Sequence, residues 1–252
     1  MNEEKPTLLT VRIHAGFNAA AFLGGILALT WQSGGTATAV LNRLFPGIDA
    51  AVAFGPASVS GIGGWRCRIE APHEHVHRHL SDIAAIYDKS GLSAAARAKA
   101  DAVWNVLGRA EAAVHGIDLE DVHFHEVGRM ANILAVGLIA EFLTRLGGVR
   151  LSASPIPMTD STVLCAHGAV PYPAPALFAM LEGVAVRPWA GEGEPVTPTG
   201  LALLRGLGAR FGGWPKMTVT AKATVFTDHV FEGVPNGTLF IAGTPLTEEN
   251  DD

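Results

Sequence analysis

Apolar and polar positions alternate along the chain with two periods, and the period marks the element. Thr7 to Ile13 reads TLLTVRI, β-branched and apolar, and predicts a strand. A Gly-containing turn leads into Asn18 to Thr30, whose apolar spacing predicts a helix. A second helix is expected over Thr36 to Phe45. Asp49 to Ser60 and Gly64 to Ala71 read as two strands joined by the Gly-rich SGIGG. The segment APHEHVHRH follows, and Leu80-Ser81-Asp82 opens another helix. Ser93 to His115 carries the clearest helical signal: Ser93 can cap it, alanines fill it, and Gly116 sits just past its end. Val122 to Val127 fits a short strand or the lead-in to a helix. Ala131 to Leu146 predicts a helix closed by Gly147-Gly148, and Val149 to Ser154 returns as a strand.

From Pro155 onward prolines at 155, 157, 171, 173, 175, 188, 195 and 198 break the chain into short pieces. Helices are expected to start at proline-containing turns near Pro173 and Pro198, because proline suits a first helical turn. Thr218 to Phe226 predicts a strand, followed by a weak one near Thr238 to Ala242 and an acidic tail over 246–252. The expected class is α/β or α+β, a mixed sheet with flanking helices and a His-rich insert. Residues 1–245 read as one domain, with a candidate internal subdivision near 150.

Composition narrows the picture. With 48% apolar and 17% charged residues in 252, the chain is a globular core-builder rather than a disordered one. A chain of this length buries enough surface to need no disulfide staple. The formal charge of -6 argues against a nucleic-acid footprint and against an anionic membrane surface. Cys67 and Cys165 form no disulfide framework, which fits a reducing cytoplasm. Ala19 to Leu29 has the length of a signal-peptide core. Yet Glu3 and Glu4 cancel Lys5 and Arg12 ahead of it, and the strand before it is one that a signal peptide does not need. No apolar run reaches the roughly 18 residues of a membrane span; Ile133 to Leu146 contains Glu141 and Arg145.

The chain holds 10 histidines, and two clusters stand out. His73, His75, His77 and His79 alternate, so a strand would line them on one face and a helix would pair 73 with 77 and 75 with 79. His123 and His125 flank Phe124 in DVHFHEVG, with Glu126 next. On a strand their imidazoles would share a face about 7 Å apart along it and could converge on one ion, with Glu126 on the other side. Neutral imidazole suits zinc, copper, iron and nickel, and an ordinary imidazole is mostly neutral at pH 7. The competing reading is solvated polar surface, or a buried ring on a backbone partner. His14, His115 and His229 stand alone and read as surface or satisfied polar residues. Cys165 and His167 in CAHG could form a thiolate–imidazole pair. The chain has no GxxxxGK[ST] phosphate loop, and GIGG at Gly61 to Gly64 is a turn rather than a dinucleotide fingerprint.

DVHFHEVG followed by a helix resembles the LarC family of nickel-insertion proteins, which complete the nickel-pincer nucleotide cofactor. HRHLSDI at His77 to Ile83, AEAAVHG at Ala110 to Gly116, CAHGAVPYPAPA at Cys165 to Ala176, VTPTG at Val196 to Gly200 and FLGGILAL at Phe22 to Leu29 resemble further segments in the same order. The likeness covers about residues 8 to 245. It implies insertion of Ni²⁺ into a pyridinium dithiocarboxylate mononucleotide, with nickel–carbon and nickel–sulfur bonds formed and CTP used. By position it implies nickel handling by His73, His75, His77 and His79. It implies a site element of His123, His125 and Glu126, with Cys165 and His167 as further candidates. The resemblance departs at Arg12, Ala19-Ala20, Ala28, Ala131 and Ala135, where the family carries carboxylates of the kind that hold a hard cation. The chain also stops near the start of the family's second domain, which implies a partner chain carrying it. The expected function is nickel binding and insertion, as a lyase-class cyclometallase if active, on a nickel-pincer precursor. A non-catalytic metal-binding or interaction paralogue is the alternative. A small metallohydrolase is a third reading, but only His167 and His229 remain after residue 128 as further histidine ligands.

Overall fold

The structure, a computed structural model, describes residues 6–72, 74, 77–165 and 168–246. In chain order its elements are β1 (Leu8–Ala15), α1 (Ala19–Leu29), α2 (Gly34–Leu44), β2 (Ala51–Val59), β3 (Ile62–Glu70), β4 (Arg78–His79), α3 (Leu80–Asp88) and α4 (Ala94–His115). After a 3₁₀ turn at Leu119–Asp121 come β5 (His123–Phe124), α5 (Met130–Leu146), β6 (Arg150–Ala153), β7 (Ile156–Met158), β8 (Ser161–Cys165) and β9 (Gly168–Tyr172). The remainder is α6 (Pro175–Ala179), β10 (Val186–Pro188), α7 (Pro198–Gly206), β11 (Arg210–Phe211), β12 (Met217–Phe226) and β13 (Gly237–Pro245).

Seven strands form one mixed sheet in the order β11-β6-β1-β13-β12-β3-β2. β1 pairs with β6 in parallel and with β13 antiparallel. The expected mixed sheet with flanking helices is therefore present. The segment near Thr238 to Ala242 is stronger than its pattern suggested. As β13 it lies between β1 and β12, and its Phe240 is fully buried. Its glycines and threonines dilute the local signal, and pairing on both edges supplies what propensity does not.

Local chemistry sets the helix ends. The Asn18 side chain accepts from the Ala21 N–H and starts α1, and the Ser93 hydroxyl accepts from Ala96 and starts α4. Gly116 ends α4 in the left-handed conformation, φ 63°, where a side chain is disfavoured. The β2–β3 hairpin turns on Ser60 and Gly61, both at positive φ, within the Gly-rich stretch expected to join these strands. α1 lies against β3, β12 and β13, and a Cβ on Gly25 would run into the Phe240 ring. α4 packs on α5, α6 and α7, so the helical layer spans both sides of residue 150. One buried cluster runs from Leu9 to Phe240 and contains residues of every long helix.

The proline-rich stretch holds two small ladders that its pattern did not reveal, β7 with β10 and the hairpin β8–β9. Prolines leave only short runs that can pair. No described helix is long and apolar enough to cross a membrane.

Candidate metal centre

His77 and His79 of the first histidine cluster meet His123 and His125 through a ladder of only two residue pairs. β4 pairs antiparallel with β5, with Arg78 opposite Phe124 and His79 opposite His123. Alternation along the strand does the sorting. Val122 and Phe124 point into the core, the latter with its ring centroid 5.4 Å from that of Trp104. His123 and His125 are thereby turned the other way, toward solvent and a cavity. Behind them the chain closes tightly: a Cβ on Gly128 would stand 2.7 Å from the Phe124 Cβ. Arg78, buried, anchors the opposite strand. It donates to the Gly128 carbonyl at 2.9 Å and pairs with Glu74 at 2.6 Å.

His77, His123 and His125 each present a ring nitrogen, and these three atoms lie within 4.8 Å of one another. His77 Nε2 and His125 Nδ1 are 3.3 Å apart, the separation of a hydrogen bond in which one ring is neutral and accepts. The His77 and His123 rings are parallel at 5.7 Å, and His125 meets both edge-on. Two nitrogens bound to one ion at about 2.1 Å each can be at most about 4.2 Å apart. A small swing of one ring therefore brings the trio within ligating distance. A metal ion there would take the place of the shared proton.

The cavity beside this trio has a volume of about 570 Å³, room for an organic molecule as well as an ion. Val163, Leu164 and Val170 from the β8–β9 hairpin give it apolar walls. Its polar wall includes Asn18, Glu111, His115, Glu126, Arg129 and Glu194. The Glu194 carboxyl is pushed up to about 7 by its burial and then by the negative charge of Glu126. Near neutral pH it is poised to give up or take a proton.

The predicted site residues fall into distinct places. His77, His123 and His125 come together. His79 stands next to them, but its Nδ1 is 2.9 Å from the Val122 carbonyl, so that nitrogen carries the hydrogen and only Nε2 remains to accept. Glu126 lies outside the trio, with its carboxylate 3.4 Å from Arg129, yet it lines the same cavity rather than the opposite side. His73, His75 and His167 lie outside the described residues, as does the side chain of Cys165, which ends β8. His115, read from the sequence as isolated, lines the cavity 3.6 Å from Glu111 one turn earlier on α4. The turn before α7 delivers Glu194, and nothing in the local sequence GEGEP marks it.

The profile of the nickel insertion protein family matches residues 9–251. A Geobacter metallireducens protein named for nickel insertion is 37% identical over 198 residues, 79% of this chain and 51% of the relative. A Desulfitobacterium hafniense pyridinium-3,5-bisthiocarboxylic acid mononucleotide nickel insertion protein is 43% identical over 160 residues, 63% of this chain and 40% of the relative. The chain spans about half the length of the curated relatives it matches. No solved structure matches it.

Proposed function

The chain belongs to the nickel insertion protein family, and from that premise we propose that it takes up Ni²⁺ on His77, His123 and His125 and presents it to a cofactor precursor in the adjoining cavity. The observation that carries this reading is the convergence of three imidazole nitrogens at the wall of a cavity much larger than an ion. Nickel is the cargo here. Imidazole nitrogens hold a borderline divalent ion well, and three ligands leave positions open for the acceptor.

The proposed acceptor is the pyridinium-3,5-bisthiocarboxylic acid mononucleotide named for the Desulfitobacterium relative. The apolar wall of Val163, Leu164 and Val170 suits the face of a flat ring. Joining nickel to a ring carbon releases the proton that carbon carried. Glu194, a carboxyl near neutrality in the same cavity wall, is proposed to hold it. Glu126 and His79 are proposed to support the ion from beside the trio, and His73, His75, Cys165 and His167 to lie along its path. Turnover with CTP is proposed to require a second chain carrying the family's other domain.

The test is calorimetric titration with Ni²⁺ of the parent, of His77→Ala and of the double variant His123→Ala/His125→Ala. The double variant is expected to lose the tightest site, a weakening of about a hundredfold or more. Parental binding by the double variant refutes the assignment.

A further inference from the structure

A second cavity, of about 350 Å³, opens where β1 ends, lined in part by Arg12, His14, Ser154, Arg187, Trp189 and Trp214. None of the described residues that line it is a carboxylate. Two guanidinium groups are fixed there with no described carboxylate on the cavity wall. Arg12 is only 8% exposed, and its Nη1 donates to the carbonyls of Gly212 at 3.0 Å and Gly213 at 2.9 Å. Arg187 Nη2 donates to the Ile13 carbonyl at 3.0 Å, and its Nη1 to the Pro188 carbonyl at 3.2 Å. Carbonyls hold these groups in place without cancelling their charge. No salt bridge of the described residues includes either arginine. Burial and then the charge of Arg187 lower the pKa of both Arg12 and His14.

The rest of the wall is aromatic. The Arg12 guanidinium lies 5.0 Å over the Trp214 ring, and Trp214 is otherwise 61% exposed. Trp189 is 8% exposed, and its indole Nε1 is buried with no hydrogen-bond partner among the described residues. A buried Arg12 beside a half-buried Arg187 is costly without an anion, and an indole N–H left unmet adds to that cost. A ligand that brings two negative charges and acceptor oxygens would offset both. The guanidinium fork matches phosphate oxygens in pairs. A single carboxylate would leave one of the two charges unmet.

We propose that this second cavity binds a phosphomonoester carried on a planar aromatic group, its phosphoryl oxygens held between Arg12 and Arg187 and its ring against Trp214. The proposal is independent of the nickel reading, because it uses none of the residues that line the histidine cavity.

The test is calorimetric titration of the full chain with phenyl phosphate, inorganic phosphate and benzoate. Saturable binding of phenyl phosphate is expected, tighter than inorganic phosphate and tighter than benzoate. Arg187→Gln is expected to weaken phenyl phosphate about tenfold or more while its Ni²⁺ titration stays parental. Trp214→Leu, at an exposed position, is expected to reduce phenyl phosphate to the affinity of inorganic phosphate. The proposal is overturned by the absence of saturable phenyl phosphate binding, by benzoate binding as tightly, or by parental affinity in folded Arg187→Gln. Should Arg187→Gln fail to fold, Trp214→Leu decides alone, and parental affinity there overturns the proposal.

Discussion

The histidine cavity and the arginine cavity occupy one chain, and each holds a group driven toward its neutral form, Glu194 in the first and Arg12 and His14 in the second. In the first, burial and Glu126 raise the Glu194 carboxyl to about 7. In the second, burial and Arg187 lower His14 and Arg12. The directions are opposite because burial disfavours the charged form of an acid and of a base alike, and in each cavity a like charge adds to it. A cavity whose own groups resist ionising is one where an ion of the other sign would reverse the shift. The net charge of -6 is therefore a poor guide to what either pocket takes. The two also differ in support: the arginines hang on carbonyls of separate segments, whereas the histidines hang on one two-residue ladder.

The largest effect is expected from breaking that ladder. Phe124 is 1% exposed and is the only side chain of β5 that faces the core. Phe124→Ala is expected to cost about 3–5 kcal/mol of stability by leaving a cavity against Trp104. Denaturant unfolding measures the cost. In the surviving folded fraction nickel affinity should fall while phenyl phosphate binding at the arginine cavity does not. Nickel binding that survives intact would show that the trio does not depend on the ladder.

A smaller effect separates burial from partnership. Glu141 is buried at 8% exposure, yet its pKa is lowered where that of Glu194 is raised. Burial by itself opposes the lowering. Arg145 overcomes it, with Nη2 at 2.8 Å and Nε at 3.0 Å, together with the Ser93 hydroxyl at 3.1 Å. This clamp ties the start of α4 to α5, the two helices that carry Glu111, His115 and Asn132 to the histidine cavity. Arg145 is 40% exposed, so solvent screens part of the pair. Glu141→Ala is expected to cost about 1–3 kcal/mol at pH 7. A lowered folded pKa places this contribution above the ordinary value of 4.5, and it is lost as pH falls through the folded value. The difference between parent and variant in denaturant midpoint should therefore shrink in acid. A constant difference down the acid limb would mean that Glu141 acts by packing alone.

What the sequence disclosed divides along the same line. Asn18, Ser93 and Gly116 mark helix ends because a cap is a local event, settled within a few residues. His123 and His125 declared a shared face because strand alternation is equally local. That His77 would reach them was carried by no local pattern: it depends on a ladder joining segments some 45 residues apart. His115 looked solitary for the same reason, since only the packing of α4 brings it to the cavity. The arginine cavity draws Arg12 from β1 and Arg187 and Trp189 from β10 and beyond, positions with no relation along the chain. β13 read only as a weak strand near Thr238 to Ala242 because its glycines and threonines dilute the signal, and its place between β1 and β12 is a property of the assembled sheet.

The smallest effect belongs to Glu194, and it tests the comparison most directly. A carboxyl whose folded pKa is raised from 4.5 to about 7 favours the folded state below the lower value, and that advantage is lost as pH rises between the two. Glu194→Gln removes the titration, so the variant should match the parent near pH 4 and exceed it near pH 8. Nickel supplies the second readout. A cation placed on the trio favours the ionised carboxylate, so binding near pH 6.5 should expel a proton from Glu194 as well as from the imidazoles. Calorimetry in buffers of different ionisation enthalpy counts those protons. The Gln variant should release fewer than the parent, with only a few-fold change in affinity. Equal release by the two proteins would mean that the charge of Glu194 does not feel the ion, and the likeness drawn between the two cavities would then hold for their residues and not for their function.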